Sequence, residues 1–399
     1  MGEIEAINSE IRVLHSVGCF LNISENWIFP QIFGVPEVKA RVFCEATANL
    51  DAFAVPSCSL IVARPAWNRA GGIPRGLTVL GRWFKCEGLL TNFRLRRWRP
   101  HILHAHFGDR AFSNLNLKSR LGVRLITSFY GWDAWLLPES NPSWVKKYQE
   151  LFKVGDIFLV EGSAMRDRLI SLGCPAEKIK IHRIGADLSI LKFAEKDFSQ
   201  GLKIAMVGRF TEKKGLVDGL RACALAQAQG VDLEVTIVGD ASANDPAGQE
   251  IKRHLQALAG RPELTGHVRF AGFLSLAETR TLLAGQNVML CPSRRAAGGD
   301  AEGGSPVVLT EAMAMGLVCL GTRHCDIPEV ILDGQTGWLC EEGEVNKLAE
   351  LISRLARNHE EILPMTRQGR QHVEENFSLQ SQLQKLGRMY CLQAGQASL

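Results

Sequence analysis

Short apolar runs alternate with longer stretches of helical spacing along this chain. That alternation restricts it to an α/β architecture built on parallel sheets. In the first half the runs fall at residues 11–17, 39–43, 101–105, 124–128 and 156–160, with a further one at 180–183. In the second half they fall at 202–207, 233–238, 267–271, 287–290, 317–321 and 337–339. Helical spacing is clearest over 215–228, 249–258 and 346–356. A less apolar segment, 186–201, separates the halves. The halves are alike in kind, so the pattern predicts two Rossmann-like units. Two such units facing each other leave a cleft at the carboxyl ends of their strands. The expected divisions are 1–190, 191–377 and a final segment 378–399.

A chain of 399 residues, 46% of them hydrophobic, has the length and apolar content for two cores. Its 11 cysteines show no C-x-x-C pair and no metal-ligand spacing with histidine. Several lie in apolar runs, such as Cys291 and Cys319, which predicts buried, reduced thiols. The first ten residues are polar and acidic, unlike a signal peptide, and no run reaches the length of a membrane span. A cytoplasmic protein is expected.

Two segments carry chemistry. The first is Gly208-Arg209-Phe210-Thr211-Glu212-Lys213-Lys214-Gly215, set between an apolar run and a helical pattern. A strand that turns on glycine into a helix presents N–H groups to phosphate, and Arg and Lys add charge-assisted bonds to the same anion. A basic turn on a solvated face would read the same way. The second runs from Glu302 through Gly303-Gly304-Ser305-Pro306 to Glu311 and Gly316. Two acids bracket a loop of small residues, and a helix starting at Ser305-Pro306 would have its cap there and proline in its first turn. Carboxylates in that place suit a ligand with several hydroxyls and a diphosphate, such as a nucleotide sugar.

Together these segments resemble the retaining GT-B glycosyltransferases of family 4, and the resemblance extends over nearly the whole chain. Gly208-Arg209-Phe210 with Lys214-Gly215 is similar to that family's donor-phosphate turn. Glu302 to Glu311 resembles its paired-glutamate motif, with eight intervening residues here against the family's seven. The extra residue falls in the glycine-rich loop, and Asp300 could share the role of Glu302. The run from Thr322 to Glu329 and the run from Asp333 to Gly337 resemble the segment that follows the motif. Phe20 to Ile28 with Ser24-Glu25, His104-Ala105-His106-Phe107-Gly108, and Ser128 to Asp133 are similar to the exopolysaccharide and colanic-acid-type branch.

The resemblance implies roles. The second domain would hold the donor, a UDP- or GDP-sugar bound as substrate, with no tightly bound cofactor and no metal. The first domain would hold the acceptor, and the last segment, about 378–393, would cross back to it. Arg209 and Lys214 would clamp the leaving diphosphate. Glu311 would accept from the ribose hydroxyls. Glu302, with the amides of Gly303 and Gly304 and beside Ser305, would hold the transferred sugar. His106 would touch that sugar by its ring or its backbone, while His104 is read as a core histidine out of register with it. Asp133 would serve the acceptor side or anchor its own loop; a plain Asx-turn fits equally. The loop 18–25 would line the acceptor side, with Ser24 also capping a helix that starts at Glu25. The turns Gly239-Asp240 and Gly272-Phe273 flank the position of the base.

Residues 82–99 interleave tryptophan and phenylalanine with Arg82, Lys85, Arg94, Arg96, Arg97 and Arg99, against the single acid Glu87. Such a segment suits an anionic membrane surface, where lipid-linked acceptors reside. No nucleic-acid recognition fold is visible. The expected function is transfer of a hexose-type sugar to a glycan or lipid-linked acceptor, for exopolysaccharide or lipopolysaccharide, peripheral at the inner face of the membrane. A GT-B-shaped nucleotide-sugar epimerase and a non-catalytic nucleotide-sugar or membrane-binding protein are the alternatives. A dinucleotide dehydrogenase is disfavoured because no G-x-G-x-x-G follows the first run.

Overall fold

The computed structural model describes residues 10–22, 25, 27–36, 38–56, 58–62, 95–358 and 361–395. The described strands form two sheets, and every pairing within them is parallel. The first contains β1 (Ile11–Phe20), β2 (Val38–Thr47), β3 (Leu60–Val62), β4 (Ile102–His106), β5 (Arg124–Ser128), β6 (Ile157–Val160) and β7 (Ile179–Ile181). Their order is β3-β2-β1-β4-β5-β6-β7. The second contains β8 (Leu202–Val207), β9 (Leu233–Val238), β10 (Val268–Gly272), β11 (Val288–Cys291), β12 (Val318–Thr322) and β13 (Gly337–Cys340), in the order β10-β9-β8-β11-β12-β13. The runs read from the sequence all fall on these strands, while β3 was not foreseen. It is a three-residue edge strand, too short to show a period.

The central strands read as continuous apolar runs because helices cover both faces of a parallel sheet. All residues of β4, β11, β12 and β13 are buried. Strand order reverses between β1 and β4 in the first sheet and between β8 and β11 in the second. These are the switch points where a doubly wound sheet opens a crevice at its carboxyl edge. The turns leaving β8 and β11 carry Gly208 and Ser293; those leaving β1, β4 and β5 carry Glu25, Phe107 and Tyr130.

The helix Leu379–Gln393 packs Leu383, Leu386, Tyr390 and Cys391 onto Ile11, Val13, Ile102, Ile126 and Leu159 of the first sheet. The two chain crossings lie side by side. Leu379 N–H donates to the Ala186 carbonyl at 2.9 Å, and Ala186 N–H to the Phe377 carbonyl at 2.7 Å. A Cβ on Gly185 would sit 2.4 Å from Leu379 Cα, so only glycine permits this approach. Segment 186–201 has no regular element, yet it is fastened to the second domain by buried Leu191 and by Ala194 N–H on the Met315 carbonyl. The described cysteines form no disulfide, and Cys291 and Cys319 are buried. No described helix is long and apolar enough to cross a membrane.

Candidate functional site

The turn after β8 is shaped by close backbone contacts. Gly215 has φ +61°, and a Cβ there would meet the Pro292 carbonyl oxygen at 1.7 Å. Glycine is therefore required where the turn Glu212–Lys214 passes into the helix Leu216–Ala228. Gly208 leaves room for the Lys214 side chain, whose Cδ lies 3.0 Å from where a Cβ would be. Lys214 Nζ is 2.9 Å from Glu302 Oε1, and Ser293 Oγ donates to the same oxygen at 2.9 Å. Burial alone would raise the Glu302 pKa. The charges of Lys214 and Lys213, with hydrogen bonds from Lys214 and Ser293, outweigh it and hold the carboxyl below its ordinary value. Arg209 is exposed, its carbonyl accepting from Thr211 N–H at 2.7 Å, and its guanidinium makes no ion pair or hydrogen bond among the described residues. Its charge reaches across to Glu25 of the first domain, where it partly offsets the upward push of burial.

The one-residue-longer loop distributes its acids between two lysines. Asp300 takes Lys213 at 3.1 Å, and Glu302 takes Lys214. The helix after the loop begins at Val307, with Pro306 at the N-cap and no side-chain cap. Ser305 does not cap it, and proline precedes the first turn instead of occupying it. Glu311 accordingly lies beyond the first turn, buried, where a helix-dipole acid is not the explanation. It accepts from Arg280 Nε at 3.2 Å and Nη2 at 2.5 Å, both on Oε1. Sequence reading missed Arg280; it lies on the helix Leu276–Ala284, whose one clear local signal is the Ser275–Glu278 capping box. The Gly239 amide donates to the Gly272 carbonyl at 2.8 Å, and the Phe273 ring beyond it is 56% exposed, open to a flat ligand.

On the first-domain side the helix after β1 begins at Ile28, not at Glu25. Ser24 lies outside the described residues. His106 is fully buried, with Nε2 3.0 Å from His15 Nδ1 and Nδ1 2.7 Å from the Tyr130 hydroxyl. Both ring nitrogens are thus engaged within the domain, which leaves the backbone of the two sugar contacts considered. His104 was read as out of register with His106, but residues two apart share a strand face. The two rings stack with centroids 4.5 Å apart. His104 is a satisfied core histidine nonetheless, bonded to the Tyr390 hydroxyl at 2.6 Å and Ser128 Oγ at 2.8 Å. His15, His104 and His106 place ring nitrogens within 4.8 Å of one another, close enough for a metal. Burial lowers the pKa of each, so the rings are neutral, and those of His104 and His106 are spent on hydrogen bonds.

Asp133 is fully buried and holds the loop. Its carboxylate accepts from Gly108 N–H at 2.9 Å and from Tyr130 and Gly131 N–H at 3.1 Å each. Burial pushes its pKa up to about 6 against these bonds.

The two domains meet along a tight seam. A Cβ on Gly131 would strike the Glu302 carbonyl oxygen at 2.3 Å, and one on Gly303 would strike Gly131 Cα at 2.3 Å. Gly304 lies against the Glu161 carboxylate. The amides expected to face a sugar therefore belong to residues buried against the first domain. Asp326 Oδ1 accepts from Ala164 N–H at 2.7 Å, and Glu329 accepts from Ser163 N–H at 2.6 Å and pairs with Arg183. Arg295 pairs with Glu139. Burial pushes Asp326 up to about 7 and Glu161 well above its ordinary value. Around Asp326, Glu329 adds to the rise, while the Ala164 amide and Arg183 oppose it. An acid whose pKa is raised by folding stabilises fully below its ordinary value and loses that contribution as pH climbs to the folded one. The stability of wild type relative to Asp326→Asn should thus fall between about pH 4 and 7. Calorimetry of both proteins across that range checks it, and a pH-independent difference would contradict it.

Of the basic segment, residues 82–94 lie outside the described ones. Trp98 packs against the first-domain core with Arg41 4.8 Å from its ring centroid, so it is not free for interfacial burial. Arg96, Arg97 and Arg99 are exposed.

Known proteins resemble the chain in both halves. The profile for glycosyl transferases group 1 matches residues 190–372, and that for glycosyltransferase family 4 matches residues 38–190. A protein of Escherichia coli named as a colanic acid biosynthesis glycosyltransferase is 32% identical over 71% of this chain and 68% of its own. An amylovoran biosynthesis glycosyltransferase of Erwinia amylovora is 32% identical over 69% of this chain and 66% of its own. The structure of HepE from Anabaena in complex with UDP and glucose covers 95% of this chain and 99% of its own, with a TM-score of 0.75 at 17% identity. That likeness establishes the GT-B fold.

Proposed function

Because the chain belongs to the family 4, group 1 glycosyltransferases, we propose that it transfers a hexose-type sugar, with retention, from a UDP- or GDP-sugar to a glycan or lipid-linked acceptor. Exopolysaccharide assembly is the setting that the named relatives favour, and lipopolysaccharide assembly is the alternative setting for the same chemistry. The observation that carries the reading is the Lys214–Glu302 pair at the carboxyl edge of the second sheet, with exposed Arg209 beside it.

The residues divide the work by charge. As the bond between the anomeric carbon and the diphosphate breaks, negative charge grows on the leaving oxygens, and Arg209 and Lys214 meet it. Glu302, held ionised by the lysines, accepts from hydroxyls of the transferred sugar. Glu311, held by Arg280, accepts from the ribose, and Phe273 meets the base. The acceptor oxygen bonds to the same face of the anomeric carbon, and its proton passes to a leaving-phosphate oxygen. No covalent nucleophile is required.

The role of the acids is tested by comparing variants. Glu311→Gln should cost more activity than Asp300→Asn, with Glu302→Gln between them or equal to Glu311→Gln, in an assay of nucleotide release from UDP- and GDP-sugars. Asp300→Asn as the most damaging change would transfer the first acid's role to Asp300. For attachment to an anionic membrane, the exposed arginines 96, 97 and 99 add to the charge of the preceding segment. Each contributes about 1 kcal/mol near such a surface, so binding should be salt-sensitive.

A further inference from the structure

We infer that Glu161, Asp326 and Glu329, gathered around Arg183 at the domain seam, form a pH-sensitive latch that holds the cleft closed while the seam carries protons and lets it open when they leave. The device acts on the cleft itself, whichever sugar is transferred there.

The acids come from both sides. Glu161 directly follows β6 and Arg183 follows β7, in the first domain. Asp326 and Glu329 belong to the short helix Ile327–Val330 of the second and its N-cap. A Cβ on Gly162 would fall 2.3 Å from Asp326 Cγ, and one on Gly304 would fall 2.2 Å from Glu161 Oε2. With Ser305 and Thr310 of the donor loop and its helix, these four side chains line a cavity of about 10 Å³, room for no more than one water. A hydrated counter-ion does not fit. An ionised acid in this place is neutralised by a proton or relieved by parting the domains. The chain passes between the domains at two adjacent crossings, near Ala186 and Ser378, a narrow neck about which they hinge.

The charge count is unbalanced. Three carboxyls face one guanidinium, and Arg183 is committed to Glu329 at 2.6 Å. Glu161 has Asp326, Glu302 and Asp133 around it, all acids, and Glu302 already has Lys214. Asp326 is 3% exposed. Its Oδ1 accepts from the Ala164 amide, while Oδ2 is buried without a partner among the described residues, the place for a proton. Other titratable groups at the seam do not supply the missing charge. His372, on the helix Ile362–Asn376, bonds the Glu329 carbonyl and not its carboxylate. Burial pushes the Cys325 thiol up to about 12 and the Tyr130 hydroxyl well above its ordinary value, so both are neutral.

The direction follows from linkage. In the closed seam Asp326 and Glu161 keep their protons to higher pH than they would in water. Closure is therefore favoured fully below the ordinary carboxyl value, and that preference is lost as pH climbs, through about 7 for Asp326 and further for Glu161. Over that range the ratio of closed to open form falls by about tenfold per pH unit for each proton released.

Small-angle X-ray scattering of the full chain from about pH 5 to 8.5 at constant salt tests the latch. Hydrogen exchange at the Ser163 and Ala164 amides, corrected for the intrinsic rate, gives a local readout, because these amides bond to Glu329 and Asp326 across the seam. The radius of gyration of wild type should rise with pH, and protection of the two amides should fall at least about tenfold. Glu161→Gln with Asp326→Asn, which keeps the shape of the protonated acids, should stay compact and protected throughout. If the double variant does not fold, Glu161→Gln alone should open less steeply with pH than wild type. A wild-type radius and protection that do not change with pH overturn the latch, as does either variant opening as wild type does.

Discussion

Replacing Lys214 with alanine should reduce sugar transfer by about 10²–10³-fold, the usual cost of removing one preorganised donor from a site of developing charge. Arg209→Ala should reduce it by at least about tenfold, because Arg209 is exposed and less firmly oriented. Both should weaken binding of the nucleoside diphosphate. Lys214 has a second consequence that Arg209 lacks. Its partner Glu302 has a side chain only 8% exposed, so removing the lysine strands a buried carboxylate beside Ser293. Breaking one side of such a pair costs about 3–5 kcal/mol of stability. The double change Lys214→Ala with Glu302→Gln should recover stability without recovering transfer, which separates the two effects. Unaltered diphosphate affinity in both single variants, with folding intact, would falsify the clamp.

Asp133→Ala should be the most damaging single change to the first domain. Three backbone N–H groups lose their common acceptor in a fully buried place. An unsatisfied buried donor costs about 1–3 kcal/mol, so the loss should exceed about 3 kcal/mol. The loop it anchors carries Tyr130, Gly131 and Trp132, which touch His106, the second domain and the cleft respectively. Denaturant unfolding and near-ultraviolet circular dichroism check this. Asp133→Asn, which keeps one acceptor oxygen, should cost less. Equal stability of wild type and alanine variant would show that the loop is held by other contacts.

The sheets were legible because parallel strands buried on both faces leave continuous apolar runs, as at residues 202–207 and 287–290. β3 was not, because three residues at an edge carry no period. The glycine turn at 208–215 could be read locally, since its constraints are backbone ones. Arg280 could not, because its meaning depends on Glu311, thirty-one positions away and brought near only by packing. The seam formed by Glu161, Asp326 and Glu329 was equally hidden, since Asp326 and Glu329 face amides of the first domain and Glu161 lies against Gly304 of the second. The shared face of His104 and His106 was available in their spacing and was misread. The buried state of the His106 ring was not available, because His15 lies midway along β1 and Tyr130 follows β5, both distant in sequence.

The central claim is that the turn after β8 binds the diphosphate of a sugar donor. It is tested most directly by incubating wild type and Lys214→Ala with a panel of UDP- and GDP-sugars and measuring released nucleotide. The account predicts slow release of UDP or GDP from at least one donor by wild type, and loss of that release in the variant. Wild type that releases nucleotide from none of them and binds neither UDP nor GDP would contradict it, as would a variant that releases nucleotide at the wild-type rate.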